Sequence, residues 1–378
     1  MAILSVERHT ELEGLPSDVR QAFELAEQTD FQAGLDWYQL QCATALAADQ
    51  RPRIHLLRRG GELAAALPLL IQGPGEGFER RALGNFYTTR FNPPLAQDLQ
   101  AEDLAALLRE MRTRAPRASR MELAPLDRAG KAYGLLHAAM RCAGLVTFEY
   151  FCFGTWYLKV AGDCDSYMAE RPGEVRSTLR RMSKRLSQAG ARIEIIDSPR
   201  DVDRAIAAYS AVYARSWKVP EPFPDFMPGL IRLCARKGWL RLGIAWLEDK
   251  PIAAQLWVVA NGKACIFKLA YDSAFASHSP GTVLTATLMR RVIDVDRVTE
   301  VDYLTGDDAY KQAWMSHRRE MWGLVGYDPR QIRGAMLAAR EWSARGIKDL
   351  LRRARAARGR RGELAQQPVT GEALDRLS

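Results

Sequence analysis

The chain has 378 residues, 47% of them hydrophobic and 9% aromatic, with 54 Lys and Arg against 45 Asp and Glu for a formal charge of +9. That length is too great for one comfortable core and suits two domains, and the apolar content excludes a disordered chain. No window approaches the roughly 18–20 uncharged apolar residues that span a bilayer, and residues 1–14, with Glu7, Arg8, His9, Glu11 and Glu13, lack the apolar stretch of a secretion signal.

In chain order, a strand is expected near residues 3–7, then helices over 17–28, with Ser17 and Asp18 as capping candidates, and over 35–48. A hairpin follows over 53–72, then a strand over 80–85, a turn-rich stretch 87–94, a helix 101–114, a strand 120–123, a helix 131–142 stopped by Gly144, and a strand 146–153. A strand over 156–160 opens the second half, followed by a strongly basic helix 172–189 started by Pro172 and ended by Gly190. A strand 192–197 and helices 200–217 and 226–236 lead into three strands over 240–247, 252–259 and 264–270. A helix 281–296 and strands 300–304 and 320–325 complete this half. A helical tail runs from Pro329 to about Arg358, and residues 366–378 read as disordered. Cys42, Cys142, Cys152, Cys164, Cys234 and Cys265 are scattered in apolar surroundings without a CxxC pair, so buried free thiols in a reducing cytoplasm are expected and a metal site is not.

The two halves rhyme. Residues 54–69 read IHLLRRGGELAAALPL, and 189 residues later 243–258 read GIAWLEDKPIAAQLWV, which puts Leu63 on Ile252, Ala64 and Ala65 on Ala253 and Ala254, and Leu67 on Leu256. Each is an apolar strand, a charged or Gly-containing turn, and a strand of small and β-branched residues. A hairpin repeated at half-length suggests two copies of one α/β domain. The order of elements is mixed α/β without the βαβαβ alternation of a nucleotide-binding sheet, and neither GxGxxG nor GxxxxGK[ST] occurs.

Two segments carry most of the chemistry. Residues 268–282 include Lys268, Tyr271, Asp272, His278, Ser279, Gly281 and Thr282 and end in Ser-Pro-Gly before an apolar helix. The spare N–H groups of such a helix start attract a phosphate or carboxylate, although Ser-Pro-Gly is also an ordinary way to begin a helix. Residues 301–314 end a strand in Gly306 and continue through Asp307, Asp308, Tyr310, Lys311 and Trp314; Asp308 also suits a cap and Trp314 the core. In the basic helix, Arg176, Arg180 and Lys184 stack at i, i+4 opposite an apolar face of Val175, Leu179, Met182 and Leu186. That stripe is either a phosphate-binding surface or a solvated helix face. The tail carries Arg345, Lys348, Arg352, Arg353, Arg355, Arg358, Arg360 and Arg361 against Asp349 alone, with too few apolar residues beside them for stable membrane insertion.

Arg176-Ser-Thr-Leu-Arg180-Arg181-Met-Ser-Lys184-Arg185-Leu186, Ser216-Trp217-Lys218, Pro251-Ile252-Ala253-Ala254, Tyr271-Asp272, Ser279-Pro280-Gly281 and Gly306…Tyr310-Lys311…Trp314 occur in order. Together they resemble acyltransferases of the GNAT superfamily of the CelD type, relatives of the FemAB peptidyl transferases. The resemblance spans about residues 165–324, and the repeat extends it to two tandem domains: a degenerate copy over 1–154, a catalytic copy over 155–328 and a basic tail over 329–378. It implies transfer of an acyl group, acetyl-CoA being the expected donor, to an amine of a small molecule or surface-polysaccharide precursor in the cytoplasm, without a metal.

On that resemblance the donor lies against Ile252, Ala254 and Leu256 with its pyrophosphate at His278, Ser279, Gly281 and Thr282. The usual [RQ]xxGx[GA] phosphate loop is absent, however, and Pro280 has no N–H to donate. Asp307 or Asp308 is the candidate for orienting or deprotonating the amine, Tyr310 for protonating the leaving thiolate and Lys311 for binding a phosphate or offsetting negative charge. Arg176, Arg180, Lys184, Trp217, Lys218, Lys268, Tyr271, Asp272 and Trp314 are the candidate substrate contacts. The first copy, with Asn92-Pro93-Pro94 at the equivalent place, is expected to shape the acceptor cleft. Two rivals stand beside this reading: a Fem-like transferase using aminoacyl-tRNA, and a non-catalytic polybasic binding or scaffold protein.

Overall fold

Ten of the twelve strands among the described residues divide into two equivalent sets of five, which the chain's own repeat produces. The computed structural model describes residues 3–72, 79–113 and 117–347. In the first half, β1 (Leu4–His9), β2 (Gln50–Arg59), β3 (Glu62–Gln72) and β4 (Glu79–Ala82) form an antiparallel meander, and β4 then runs parallel to β5 (Arg120–Asp127). In the second, β7 (Arg192–Ile196), β8 (Leu240–Leu247), β9 (Lys250–Ala260) and β10 (Lys263–Tyr271) repeat the meander, and β10 runs parallel to β11 (Glu300–Asp302). The repeated hairpins are β2–β3 and β8–β9. Gly60 and Gly61 turn the first at φ 62° and 91°, and Glu248 begins the second at φ 53°. Residues 64–71 of β3 and 252–258 of β9 are buried without alternation, because helices cover both faces of these strands.

The halves meet by exchanging strands. β6 (Val146–Lys159) follows the first half in sequence but pairs with β11, while β12 (His317–Tyr327), the last strand, pairs with β5. β6 and β12 also pair with each other from His317↔Tyr157 to Tyr327↔Val146, so all twelve strands join one sheet in the order β1-β2-β3-β4-β5-β12-β6-β11-β10-β9-β8-β7. The sequence suggested two strands, 146–153 and 156–160, and a boundary after 154. The structure makes them one, because Gly154 keeps its ladder partner Glu320 and the Thr155 hydroxyl donates to Asp302 at 2.8 Å.

Three large cores flank the sheet among the described residues, beside a small cluster of Phe148, Val325, Tyr327 and Ala338. Helices α3 (Ala101–Thr113) and α4 (Lys131–Cys142) cover the first half. The basic α6 (Gly173–Gln188) and α9 (Pro280–Arg290) cover the second. The third core is shared by both halves: α1 (Ser17–Glu27), α2 (Leu35–Thr44), α7 (Val202–Ala214) and α8 (Phe226–Arg236) meet there. Trp37 lies edge-on to Phe31 and Phe226, each 5.5 Å away. Aromatic pairs of this geometry add roughly 0.5–1.5 kcal/mol beyond their buried area.

Short helices α5 (Cys164–Ala169) and α10 (Ala309–Trp314) were not foreseen. Neither Ser17 nor Asp18 caps α1; Asp18 pairs with Arg58 at 2.5 Å instead. Cys164, Cys234 and Cys265 are buried as expected, Cys42 and Cys152 are partly buried, and Cys142 is exposed. The tail forms a helix, α11, over 332–347, and its expected continuation to Arg358 and the stretch 366–378 lie outside the described residues.

Candidate functional site

The second half is opened by the way β11 ends. Asp302 accepts the Leu304 N–H at 2.7 Å as well as the Thr155 hydroxyl, taking a donor that would otherwise extend the ladder to β10. Leu304 (φ 55°) and Gly306 (φ 112°) then turn the chain away. β11 therefore covers only residues 263–265 of β10, and among the described residues no strand lies beside the edge from 266 to 271. A bulge between Ile266 and Lys268 re-aims the side chains there.

A cavity of about 210 Å³ fills the gap, with Ile266, Phe267, Lys268 and Leu269 on one wall and Tyr303, Leu304, Thr305, Tyr310 and Lys311 on the other. Lys218 and the first half's Phe86, Tyr87 and Thr89 close it. Gln32, itself buried, fastens that roof: its Oε1 accepts from Thr89 N–H and hydroxyl at 2.9 Å each and from Arg90 N–H at 3.2 Å. Tyr87 stacks on Phe226 with ring centroids 3.9 Å apart and donates its hydroxyl to Glu221 at 2.7 Å. Lys268 joins roof to floor, ion-paired to Glu221 at 3.0 Å and 5.0 Å and 5.2 Å from the Phe86 and Tyr87 rings.

The cavity is electropositive. Lys311 is buried, donates to the Thr305 carbonyl and lies 3.3 Å from Asp308 at the rim. Gly306 gives it room, since a Cβ there would come within 2.7 Å of its Nζ. Burial lowers the Lys311 pKa, opposed by Asp308. Lys218 is pushed down to about 8, first by burial and then by the charges of Lys268 and Lys311, with Glu221 opposing. Burial and Asp308 raise the Tyr310 hydroxyl to about 12. The site thus holds one lysine with a neutral fraction near pH 8, two further lysines and a tyrosine that stays protonated.

Residues 173–312 match the profile of the acetyltransferase (GNAT) domain. FemX is similar in fold, with a TM-score of 0.60 at 12% identity over 85% of this chain and 97% of its own. A tandem GNAT protein from the clavulanic acid biosynthesis pathway matches at 0.51, 12% identity, 86% and 99%. So does the C-terminal domain of a lysylphosphatidylglycerol synthetase from Agrobacterium fabrum, at 0.52, 14%, 85% and 95%. No curated protein matches the sequence. The second half is a GNAT acyltransferase domain. With the first half it makes a tandem GNAT fold related to that of the FemAB type.

Within this GNAT domain the expected residues separate. Lys218, Lys268, Tyr310 and Lys311 converge on the cavity. Ile252, Ala254 and Leu256 do not reach it: β9 is an interior strand, and all three have no exposed surface. Asp307 and Asp308 do not line the cavity either. Asp307 is held by Arg318, which donates to it at 2.7 Å and keeps its carboxyl below the usual range, and Asp308 begins α10 without capping it. Asp272 is a structural carboxylate, pairing with Arg215 at 2.9 Å and Lys250 at 3.0 Å while accepting from Ala274 N–H. Trp314 is core, its carbonyl taking the Tyr167 hydroxyl at 2.7 Å.

The remainder lie along the edge that leads out of the cavity. Tyr271 ends β10 with the exposed Trp217 ring 4.4 Å from its own. His278, Ser279, Gly281 and Thr282 form the start of α9 beyond it, where Ser279 takes φ 46° and the Thr282 and Val283 N–H groups turn back to its carbonyl. The Gly281 carbonyl accepts from Gln255 and from Thr285 at 2.9 Å each. Arg185 of α6 donates to the Ser277 carbonyl at 3.2 Å, which brings the basic helix to this helix start. Arg176, Arg180 and Lys184 are exposed. Sequence reasoning missed Glu221, Tyr303 and the roof, whose contribution from the first half comes from residues 86–89. Asn92, Pro93 and Pro94 instead line a separate groove of about 590 Å³, where the chain refills the edge of β3 through Ala66 N–H to Pro94 and Ala96 N–H to Ala64 at 2.9 Å each. Among the described residues no cluster suits a metal ion and no helix is long and apolar enough to cross a membrane.

Proposed function

We propose that the chain moves an acyl group from acyl-CoA, with acetyl-CoA as donor, to an amino group of a small molecule or surface-polysaccharide precursor in the β10–β11 cleft. The observation that carries the reading is the unpaired β10 edge running from the α9 start into a cavity ringed by Lys218, Lys268 and Lys311. The edge offers backbone N–H and C=O groups to the amides of a pantetheine arm and to a carbonyl oxygen. His278, Ser279, Gly281 and Thr282, with Arg185 of α6 beside them and Arg176, Arg180 and Lys184 exposed on the same helix, suit the donor's phosphates. The acceptor enters beneath the roof formed by residues 86–89.

Direct transfer then needs few groups. The amine nitrogen attacks the thioester carbon, forming the C–N bond, and the tetrahedral oxyanion collapses with cleavage of C–S. Neutral Lys218 takes the proton that the nitrogen gives up. Lys268 and Lys311 favour the uncharged amine over its ammonium and offset the oxyanion. Tyr310 supplies the proton for the leaving thiolate. The exposed basic face of α6 favours a second reading, in which an aminoacyl-tRNA replaces acyl-CoA as donor.

Thermal denaturation with acetyl-CoA, free CoA and charged tRNA separates the two. A ligand at about a hundred times its Kd adds about 2.7 kcal/mol of stability. The CoA reading expects a rise in Tm with acetyl-CoA and CoA. It expects the rise to be lost in Ser279→Asp, which keeps the left-handed turn but opposes phosphate. A rise with charged tRNA alone would move that donor first, and no rise with either would contradict the transfer reading.

A further inference from the structure

The segment between α7 and α8 carries Lys218 and is neither helix nor strand. Local hydrogen bonds fix its first turn. The Lys218 N–H donates to the Ser216 hydroxyl at 3.3 Å, Ser216 donates to the Tyr213 carbonyl at 2.8 Å, and the Val219 carbonyl accepts the Tyr213 hydroxyl at 3.2 Å. Trp217 and Val219, on either side of Lys218, are 54% and 81% exposed, so little packing holds the segment there. Three residues further on, Glu221 ties it to the rest of the cleft with a side chain only 9% exposed. Tyr87 of the roof donates its hydroxyl to Glu221 at 2.7 Å, and Lys268 of β10 pairs with it at 3.0 Å. Burial and Glu221 keep the Tyr87 and Tyr213 hydroxyls protonated, so both remain donors. One carboxylate thus joins a loop, a strand of the second half and the roof supplied by the first.

The same carboxylate answers an electrostatic problem. Among the described residues that line the cavity, three are lysines and none is a carboxylate. Like charges in a wall poorly reached by water repel strongly, and a half-buried cation there needs a partner. Asp308 pairs with Lys311 at the rim, and Glu221 pairs with Lys268. The tyrosines around the cleft add no charge: Tyr209 and Tyr213 of α7, Tyr87 of the roof, and Tyr303 and Tyr310 on the far wall are all raised by burial. The charges that act on Lys218 are therefore Lys268 and Lys311, which disfavour its ammonium, and Glu221, which favours it.

We propose that Glu221 is the positioning residue of Lys218: it pins the segment that presents this amine to the cavity and supplies the negative charge that opposes the two neighbouring lysines. This role rests on Lys218 being the base of the transfer described above. Without Glu221 the amine would be neutral at lower pH and correspondingly weaker at taking a proton.

The test is competitive labelling of the full chain with acetic anhydride across about pH 6–10, read at Lys218 by mass spectrometry, which follows the proton on this amine whether or not transfer occurs. The wild-type labelling rate is expected to have its midpoint at about 8. Glu221→Gln keeps an acceptor for the Tyr87 hydroxyl but removes the charge, and should lower the midpoint by about one unit. Lys268→Gln should raise it. The two substitutions together, which leave two neutral amides in place of a buried pair, should return it to about 8. Loss of structure alone would not give shifts of opposite sign, and the last two variants carry the test if Glu221→Gln does not fold. An unchanged midpoint in Glu221→Gln, a downward shift in Lys268→Gln, or a wild-type midpoint at about 10.4, the ordinary lysine value, would overturn the proposal. The labelling is independent of acetyl-CoA, whose failure to raise Tm would count against the transfer reading instead.

Discussion

Lys218 is the residue on which the proposed chemistry turns. A lysine with its pKa pushed down to about 8 by burial and by two like charges gains its neutral form as pH rises through that value. If it is the base, kcat/KM for acyl transfer climbs with pH up to about 8 and levels off above about 9. Lys218→Met should remove that rising limb and lower kcat/KM by roughly 10²–10⁴-fold. A pH profile of the variant that still rises through the same range would transfer the role elsewhere. The acidic pair looked more like a base in the sequence, because Asp307 and Asp308 follow a strand end. Arg318, eleven residues further on, takes up Asp307, and only the folded register of β12 brings it there.

At the scale of elements, the proposed acyl-transfer cleft is an interruption of a ladder and a borrowed roof. β10 and β11 were both expected, and so was the helix between them. The parting of the two strands was not, since it depends on the Asp302 carboxylate accepting the Leu304 N–H. The roof was legible only as a turn-rich stretch, because Gln32 reaches it from more than fifty residues away in sequence. Gln32→Leu would leave the Thr89 and Arg90 N–H groups without their acceptor, at about 1–3 kcal/mol for each buried donor. We expect a lower Tm and a higher KM for the acceptor than for the donor. An unchanged KM ratio would separate the roof from acceptor binding.

The whole molecule is two repeats that cannot be pulled apart without breaking strands. The repeat itself was readable, because β2–β3 and β8–β9 are doubly covered strands around short turns and carry similar small residues. The exchange of β6 and β12 was hidden, because Gly154 resembles a break while its backbone continues the ladder. A buried Arg112–Asp328 pair at 2.5 Å fastens the end of β12 to α3, with Gln331 and Arg330 N–H completing the carboxylate. Removing one partner of such a pair costs about 3–5 kcal/mol, so Asp328→Asn should lower Tm sharply. Because the central strands and the α1–α2–α7–α8 core belong to both halves, that loss should appear within a single calorimetric transition. Two resolved transitions, only one of them shifted, would mean that the halves are stable separately.

The most direct test of the cleft assignment is hydrogen–deuterium exchange of the full chain with and without acetyl-CoA. The account predicts slower exchange in residues 266–271 of β10 and 279–284 at the start of α9, with the first half's 63–66 and 94–97 unchanged. Protection confined to the first-half groove, or no protection anywhere at saturating acetyl-CoA, would contradict it.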